Sequence, residues 1–308
     1  MTNLLADPFT DQLTVLQLID QVAAQLTGAG LTLKNGFGQG TLNAFDEAAW
    51  LVLWQLKLPL NDLDSVSNRL VDKAEHAQVA TLLGARINTR KPLAYLTQEA
   101  WLQGVPFFVD ERVIIPRSFI AELIVDESID AWLSDQTHRM LDLCTGNGSL
   151  AVLSAMAYPD LTIDAADIST DALAVARINV DRHGLAERIK LIESDGLAAC
   201  GGKYDLILCN PPYVNAHVMA ALPAEFKAEP QLALASGNDG MDFIRQLLLT
   251  ASAHMSENAV LVLEIGNERT NFERVIQEQF TSLEPLWFET SGGPDQVLLL
   301  TKQQLSRQ

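Results

Sequence analysis

Four residues that follow a predicted strand have the chemistry to hold a planar NH₂ group. The apolar run at 204–209 leads directly into Asn210-Pro211-Pro212-Tyr213. Two consecutive prolines fix φ and remove two backbone donors, so Asn210 and Pro211 are expected to present carbonyl oxygens beyond the strand. Two such acceptors would bind the hydrogens of a carboxamide or of an exocyclic adenine amine and leave its nitrogen able to attack. A four-residue match also fits a plain Pro-Pro turn, so the motif needs support from elsewhere in the chain.

A glycine turn upstream gives that support. Residues 141–151 are typical of an apolar strand, a turn and the start of a helix, and the turn contains Cys144, Thr145, Gly146 and Gly148. This layout lets a backbone approach a nucleotide-like ligand closely. Asp142 lies inside the end of the strand, where a carboxylate would repel a pyrophosphate and favour a ligand with a cationic amino-acid end. The turn therefore predicts S-adenosylmethionine, which has an ammonium and a sulfonium but no phosphate, rather than a nicotinamide cofactor.

Further polar residues follow the next predicted strands. Asp167 lies about 20 residues after the turn, where a ribose-binding acid is expected in dinucleotide-binding folds as well. Asp195 and Gly196 follow the strand after that. Because ligands of open α/β sheets bind beyond the carboxyl ends of the strands, we expect Asp142, Asp167, Asp195 and Asn210 to converge on one crevice.

The periodicity of the apolar residues predicts an α/β chain with three regions. Residues 1–90 carry apolar residues at helical spacing, in segments at about 11–29, 46–56 and 65–87, and predict a small all-helical substrate-recognition domain. Residues 91–117 predict a β-hairpin linker with its turn near Gly104. Residues 118–308 predict the domain that carries the glycine turn and the Asn210 motif.

This last region alternates between strands and helices, as in a Rossmann-like, mostly parallel sheet. The final two strands are joined by the turn at 291–295, which leaves no room for a helix and requires an antiparallel pair at the sheet edge. We predict a seven-stranded sheet with an antiparallel last strand. The strands are expected at 140–144, 162–166, 189–193, 204–209, 260–265, 283–288 and 297–301.

The composition limits the function classes. With 48% hydrophobic and 19% charged residues among 308, the chain is globular rather than disordered. A formal charge of −18, from 39 acidic and 21 basic residues, argues against a general nucleic-acid binder and favours a basic protein partner. No Lys or Arg precedes Lys34, and no apolar run is long enough to span a bilayer, so we expect a cytoplasmic protein without membrane contact.

The cysteines and histidines predict neither disulfides nor a metal site. The three cysteines, Cys144, Cys200 and Cys209, are odd in number and widely spaced. They are interpreted as reduced thiols in apolar surroundings. The five histidines show no short ligand spacing, so no metal is expected.

Together these motifs resemble the bacterial protein-glutamine N5-methyltransferases, and the resemblance covers nearly the whole chain. Residues 91–97 and 109–118 are most similar to the branch that acts on large-subunit ribosomal protein three, PrmB. The release-factor branch tends to follow its Pro-Arg pair with Pro-x-Thr-Glu, whereas this chain continues as Ser118-Phe119-Ile120-Ala121-Glu122. Two positions depart from the family pattern. Phe119 stands where the ribosomal branch usually has proline, and Cys144 where the cofactor loop usually has its first glycine.

The resemblance implies a class I S-adenosylmethionine-dependent methyltransferase domain at 118–308 that methylates a glutamine of large-subunit ribosomal protein three during ribosome assembly. In that family pattern Asn210 and Pro211 would hold the substrate carboxamide through their oxygens, with Tyr213 as a pocket wall and no general base. The implied catalytic set is Asn210, Pro211, Pro212 and Tyr213. The implied cofactor-binding set is Asp142, Cys144, Thr145, Gly146, Gly148, Asp167, Asp195, Gly196 and Asn210.

Other functions fit some of the same residues. A release-factor glutamine methyltransferase would use the same cofactor turn and Asn210 motif, and an adenine-N6 methyltransferase on DNA or RNA could use the same acceptor pair. The 6% aromatic content and the acidic excess count against the latter, which needs a basic groove and stacking side chains. A third hypothesis is a binding or assembly protein without catalytic activity. The sequence leaves four points open: which glutamine is modified, whether the substrate is free or ribosomal, the oligomeric state, and the roles of Arg117 and residues 229–240.

Overall fold

The computed structural model describes residues 12–307, which divide into two compact units. Residues 12–98 together with Pro223–Ala228 form a helical unit. Glu99–Leu222 together with 229–307 form the unit that contains the large sheet. The domain limits at 90 and 117 stay a prediction, and no sequence pattern indicates that residues 223–228 belong with the helices. In the described part of the chain, no helix is long and apolar enough to cross a membrane.

The helices follow the predicted order of segments. In chain order they are α1 Val15–Gly28, α2 Ala44–Gln55, α3 Leu63–Val66, α4 Lys73–Thr89, α5 Leu93–Thr97, α6 Ile120–Val125, α7 Ser149–Ala157, α8 Thr170–Arg182, α9 Ala216–Ala221, α10 Ala224–Lys227, α11 Asp242–Thr250, α12 Arg269–Gln279 and α13 Lys302–Leu305. The strands are β1 Ala100–Leu102, β2 Val105–Phe107, β3 Arg139–Leu143, β4 Thr162–Asp167, β5 Ile189–Glu193, β6 Tyr204–Cys209, β7 Met255–Glu264, β8 Leu286–Thr290 and β9 Gly293–Thr301.

Local sequence explains where the main helices of the helical unit begin. Thr14 starts α1 with a capping box: its side chain accepts from the Gln17 N–H, and the Gln17 side chain accepts from the Thr14 N–H. Asp72 and Glu75 form the same reciprocal cap at α4. The first predicted segment was placed from about Asp11, which lies outside the described residues. The apolar face of α1 is buried in the core of this unit, as the helical spacing predicted.

The predicted linker contains a short β-hairpin. Strands β1 and β2 pair antiparallel around Gly104, where the turn was predicted. The segment before the hairpin forms the short helix α5, and residues 108–116 after it form no regular element. Pairing ends at Phe107 because the backbone N–H and carbonyl of Phe108 both bond to the side chain of Asn179 rather than to a strand.

The seven-stranded sheet is confirmed, with the strand order β5-β4-β3-β6-β7-β9-β8. Neighbours from β5 to β7 are parallel, and β9 is antiparallel to both β7 and β8. The strands β4, β5 and β6 start at the predicted residues, whereas β7 begins at Met255 rather than at 260 and β9 at Gly293 rather than at 297. The turn between β8 and β9 is consequently only Ser291-Gly292.

Both faces of this sheet are covered, which is why its central strands read as continuous apolar runs. Successive residues of β6 alternate between two cores: Leu206 and Leu208 pack on one face, and Ile207 and Cys209 on the other. The strands β3, β4 and β6 are adjacent and parallel, so their carboxyl ends lie side by side. The residues that follow these strands therefore share one edge of the sheet.

Candidate cofactor and substrate site

A cavity of about 740 Å³ opens beyond the carboxyl ends of the parallel strands. Segments that follow β3, β4, β5 and β6 all contribute to its walls. Of the residues singled out in the sequence, the cavity is lined by Cys144, Thr145, Gly146, Asp167, Asp195, Gly196, Asn210 and Pro212. Asp142, Gly148, Pro211 and Tyr213 are not among its lining residues. The glycine turn and the Asn210 motif thus face the same space.

Asp142 lies beneath the turn, with 1% of its surface exposed. Its Oδ2 accepts hydrogen bonds from the Thr145 hydroxyl at 2.5 Å and from the Ala151 N–H at 3.0 Å, which joins the end of β3 to the first turn of α7. Its Oδ1 has no hydrogen-bond partner within residues 12–307. Burial raises the pKa of this carboxyl to about 7, although both hydrogen bonds oppose the shift.

Asp167 fixes the turn from the neighbouring strand. Its Oδ2 accepts from the Gly146 N–H and its Oδ1 from the Ser169 N–H, both at 2.9 Å. Burial raises the pKa of Asp167, against the effect of these backbone donors. The carboxylate that the sequence assigns to ribose binding is therefore also a structural support for Gly146.

The turn requires backbone conformations that favour glycine. The φ angles of Cys144, Gly146 and Gly148 are all positive, at 62°, 56° and 81°. At Cys144 this left-handed conformation is unfavourable for a residue with a Cβ by about 1–2 kcal/mol, which explains the glycine usual at this position. A Cβ on Gly148 would meet the Ala176 Cβ at 3.2 Å, so this glycine lies against α8 rather than at the cavity.

The thiol of Cys144 faces another thiol. Cys209, at the end of the adjacent strand β6, and then burial raise the pKa of the Cys144 thiol well above its usual value. A protonated thiol is a poor nucleophile. All three cysteines are free in the structure, in keeping with the interpretation as reduced thiols.

The chain that leaves the Asn210 motif pairs with residues 234–240. The Val214 N–H donates to the Leu234 carbonyl at 2.8 Å, and the Val214 carbonyl accepts from Ser236 at 3.1 Å. A Cβ on Gly240, whose φ is 79°, would lie 2.1 Å from the Tyr213 carbonyl oxygen, so only glycine allows this approach. The partner segment lines the cavity through Pro230, Leu232, Ala233, Ala235, Ser236 and Gly237.

A salt bridge secures the start of this wall. Arg117 donates to Glu229 through Nη1 at 2.6 Å and through Nη2 at 2.8 Å, and Glu229 Oε1 also accepts from the Ile115 N–H at 3.0 Å. The Glu229 side chain is fully buried, and Arg117 lines the cavity. Arg117 therefore has a structural role, because its salt bridge with Glu229 connects two walls of the cavity.

Comparison with known proteins identifies the family. Residues 126–239 match the family model described as the methyltransferase small domain. The ribosomal protein uL3 glutamine methyltransferase of Bordetella pertussis is 47% identical over 296 residues, which cover 95% of this chain and 96% of that protein. The protein of the same name from Neisseria meningitidis serogroup A is 44% identical, with 99% of each chain covered.

The chain belongs to the uL3 glutamine methyltransferase family. It is an enzyme that transfers a methyl group, and S-adenosylmethionine is its donor. Among solved structures, the hMettl16 catalytic domain in complex with MAT2A 3′UTR hairpin 6 aligns with a TM-score of 0.51 over 76% of this chain and 84% of that chain. At 14% identity that likeness shows the fold alone.

One departure from the usual pattern of the family has a local explanation. Phe119 stands where proline is common, and its N–H donates to Glu264 Oε2 at 2.9 Å, a bond that proline cannot make. The same oxygen accepts from the Ser118 hydroxyl at 2.6 Å. Burial raises the pKa of Glu264 to about 7. Sequence reasoning missed Glu264, because a single acid at the end of an apolar strand has no distinctive spacing.

Tyr213 does not form the cavity wall that the resemblance implied. Its ring lies over Gly266, where a Cβ would come within 2.5 Å of the Tyr213 Cε2. Burial, and then the nearby Glu264 carboxylate, raise the pKa of its hydroxyl above the usual value. The side chain therefore packs against Gly266 and is not one of the residues that line the cavity.

The residues of the cavity fit S-adenosylmethionine. Asp142 Oδ1, which has no hydrogen-bond partner among residues 12–307, is a buried acceptor directly below the turn, as a ligand with an ammonium group requires. A Cβ at Gly146 or Gly196 would meet no atom within 4 Å, so both glycines border open space in the cavity. The cavity volume is also within the range of sites that bind ligands of this size.

Proposed function

We propose that this enzyme methylates the side-chain amide nitrogen, N5, of a glutamine in large-subunit ribosomal protein uL3, in the cytoplasm and during ribosome assembly. The observation that carries the proposal is the shared cavity of the glycine turn and the Asn210 motif, in a chain whose relatives are named for this reaction. A donor methyl and an amide nitrogen must meet in one space for the transfer to occur, and these two motifs border such a space.

The cofactor residues act by position and charge. S-adenosylmethionine supplies an electrophilic methyl group on a sulfonium. Residues 144–147 and Asp142 hold its amino-acid end, Asp167 accepts hydrogen bonds from the ribose, and Asp195 with Gly196 borders the adenine. Because Asp167 is already fixed by two backbone N–H groups, its carboxylate is preorganised for the ribose hydroxyls.

The substrate amide is held by acceptors alone. The Asn210 side-chain oxygen and the Pro211 carbonyl each accept one amide hydrogen, which directs the nitrogen lone pair into the cavity. Pro212, which lines the cavity, closes the space beside the amide. No side chain needs to act as a base, since the amide becomes strongly acidic once it is alkylated and water can take the proton. Orientation and desolvation supply most of the catalysis, worth up to about 7–11 kcal/mol.

The charge of the enzyme suits this substrate. A protein that binds ribosomal RNA must present basic side chains, and a net charge of −18 attracts such a protein over long range. The same charge repels RNA and DNA, so we assign the contact to the protein component, either free uL3 or uL3 in an assembling subunit.

A methyl-transfer assay with tritiated cofactor tests the proposal. Free uL3, immature large-subunit particles, release factors and plasmid DNA are offered separately, and tandem mass spectrometry locates the label. Label on a single glutamine of uL3, free or in the particles, supports the proposal. Label on a release factor or on adenine assigns one of the other two functions, and no label on any substrate would overturn the enzymatic assignment of the site.

A further inference from the structure

The helical unit contains a buried ionic network that includes one residue from far along the chain. Arg86 of α4 has no exposed surface. Its Nε donates to Glu47 Oε1 at 2.7 Å, its Nη1 to Glu225 Oε1 at 3.2 Å and its Nη2 to the Gly36 carbonyl at 2.6 Å. Every nitrogen of this guanidinium therefore has an acceptor, and two of the acceptors are carboxylates.

A second arginine binds the same carboxylate. Arg90 Nε donates to Glu225 Oε1 at 2.6 Å, and Gln39 donates to the Glu225 backbone carbonyl at 3.3 Å. The two guanidinium groups balance the carboxylates of Glu47 and Glu225. Glu225 is completely buried, and this compensation by opposite charge is what makes its burial tolerable.

Glu225 lies in the loop that connects the proposed catalytic motif with the cavity wall. Residues 223–228 belong to the helical unit, although the residues on both sides belong to the sheet unit. Pro223 follows Tyr213 by only ten residues, and Pro230, which lines the cavity, comes two residues after Ala228. The middle of this loop therefore belongs to the helical unit, while its first part leaves the Asn210 motif and its last part forms the wall.

We propose that Arg86 and Arg90 are positioning residues for methyl transfer. By binding Glu225 they fix the loop between residues 210–213 and residues 230–237, and so set the geometry in which the amide is presented. This inference rests on the proposed function. A displacement of about 1 Å in a reacting group can reduce the rate about 10²-fold, so a distant anchor of this kind is expected to affect turnover.

The ionic nature of the anchor suits positioning. An apolar contact of equal area would tolerate a shift of one residue along α10, whereas a carboxylate that receives two guanidinium groups defines a single register. Glu229, four residues later, is also buried and bound by Arg117. Each of these two glutamates is thus bound by an arginine of its own unit.

Arg90 offers the cleaner test, because its side chain is 28% exposed whereas Arg86 is fully buried. Arg90 ends α4 in the left-handed conformation, with φ of 57°, which asparagine adopts readily. Arg90→Asn therefore keeps the helix end and removes the guanidinium. The matched control is Arg69→Asn, which breaks the exposed Arg69–Glu75 pair in the same unit without touching residues 223–228.

For Arg90→Asn we expect a kcat on uL3 that is at least about tenfold lower than that of wild type. The kcat is calculated per cofactor-binding site. The dissociation constant of S-adenosylmethionine, measured by calorimetry, should not change. Arg69→Asn keeps the wild-type kcat. Glu225→Gln is expected to lower kcat as well, and the double variant to lose less than the product of the two single losses. Thermal unfolding verifies that each variant is folded.

A folded Arg90→Asn enzyme with wild-type kcat and KM would overturn the inference, as would fully multiplicative effects of the two substitutions. Equal losses in kcat and in cofactor affinity would also overturn it, because they indicate general damage to the fold. Wild-type enzyme is measured on uL3 in the same series. Its inactivity would refute the proposed function, whereas an active wild type with an equally active variant refutes only the positioning role.

Discussion

Binding of S-adenosylmethionine is expected to release a proton from Asp142 at neutral pH. Burial raises the pKa of this carboxyl to about 7 in the protein without ligand, and its Oδ1 has no hydrogen-bond partner in the described residues. A cationic ligand end beside it would favour the ionised form and lower the pKa. Protons bound by Asp142 must then leave when the cofactor binds.

The size of the effect follows from the pKa. With a pKa of about 7, Asp142 is about nine-tenths protonated at pH 6, half protonated at pH 7 and one-tenth protonated at pH 8. If the cofactor lowers the pKa below 5, binding releases about 0.9, 0.5 and 0.1 protons at these pH values. Through Asp142 alone, affinity should rise about fivefold from pH 6 to pH 7 and about twofold more from pH 7 to pH 8.

Isothermal titration calorimetry measures this release directly. Titrations in two buffers of different ionisation enthalpy are performed at pH 6, 7 and 8, and the buffer dependence of the heat gives the number of protons. Asp142→Asn should abolish the release while keeping the Thr145 and Ala151 contacts possible through the amide oxygen. The α-amino group of the cofactor titrates near pH 8 as well, so the difference between wild type and variant is the quantity to compare.

Glu264→Gln is the matched control. The pKa of Glu264 is also raised to about 7 by burial, but this residue bonds to Ser118 and Phe119 and does not line the cavity. Its variant should release as many protons as wild type. Equal proton release by wild type and Asp142→Asn would refute the assignment of Asp142 to the cationic end of the cofactor.

Three further predictions concern single side chains. Asn210→Ala should lower the single-turnover rate by about 10²-fold and change cofactor affinity little, because its acceptor acts on the reacting amide; equal losses in calorimetry and kinetics would contradict this. Asp167→Ala should weaken cofactor binding first, since Gly146 and Ser169 lose their acceptor, and an unchanged dissociation constant would exclude the ribose role. Burial raises the pKa of Glu264 from 4.5 to about 7, so its stabilising effect is full below pH 4.5 and is lost as pH rises through 7. In urea unfolding, the free energy of unfolding should fall from pH 5 to pH 8 by roughly 2–3 kcal/mol more in wild type than in Glu264→Gln, and parallel changes would refute the shift.

The sheet and the family could be predicted because their signals are local. Central strands buried on both faces give short apolar runs, and the starts of β4, β5 and β6 were predicted to the residue. The glycine turn and the Asn210 motif are contiguous in sequence. Their meeting at one cavity follows from the rule that parallel strands place their carboxyl ends together.

The contacts that hold the site could not be predicted, because they join distant residues without a periodic pattern. The Arg117–Glu229 bridge spans 112 positions, and nothing in either local sequence distinguishes these residues from surface charges. The end of the hairpin also depends on a distant contact. Phe108 finds its hydrogen bonds on Asn179, 71 residues away, instead of in a strand. The direction of the Tyr213 ring likewise depends on the space left by Gly266.

The pairing of Arg86 with Glu225 has a consequence for synthesis of the protein. The two residues are 139 positions apart, although both belong to the helical unit. At about 5–20 residues per second, a bacterial ribosome needs roughly 7–28 s to make the intervening chain after Arg86 has been added. During this delay a nascent amino-terminal unit carries a guanidinium whose second carboxylate has not yet been translated. The helical unit can therefore be completed only after residues 223–228 have emerged, when most of the chain has already been made.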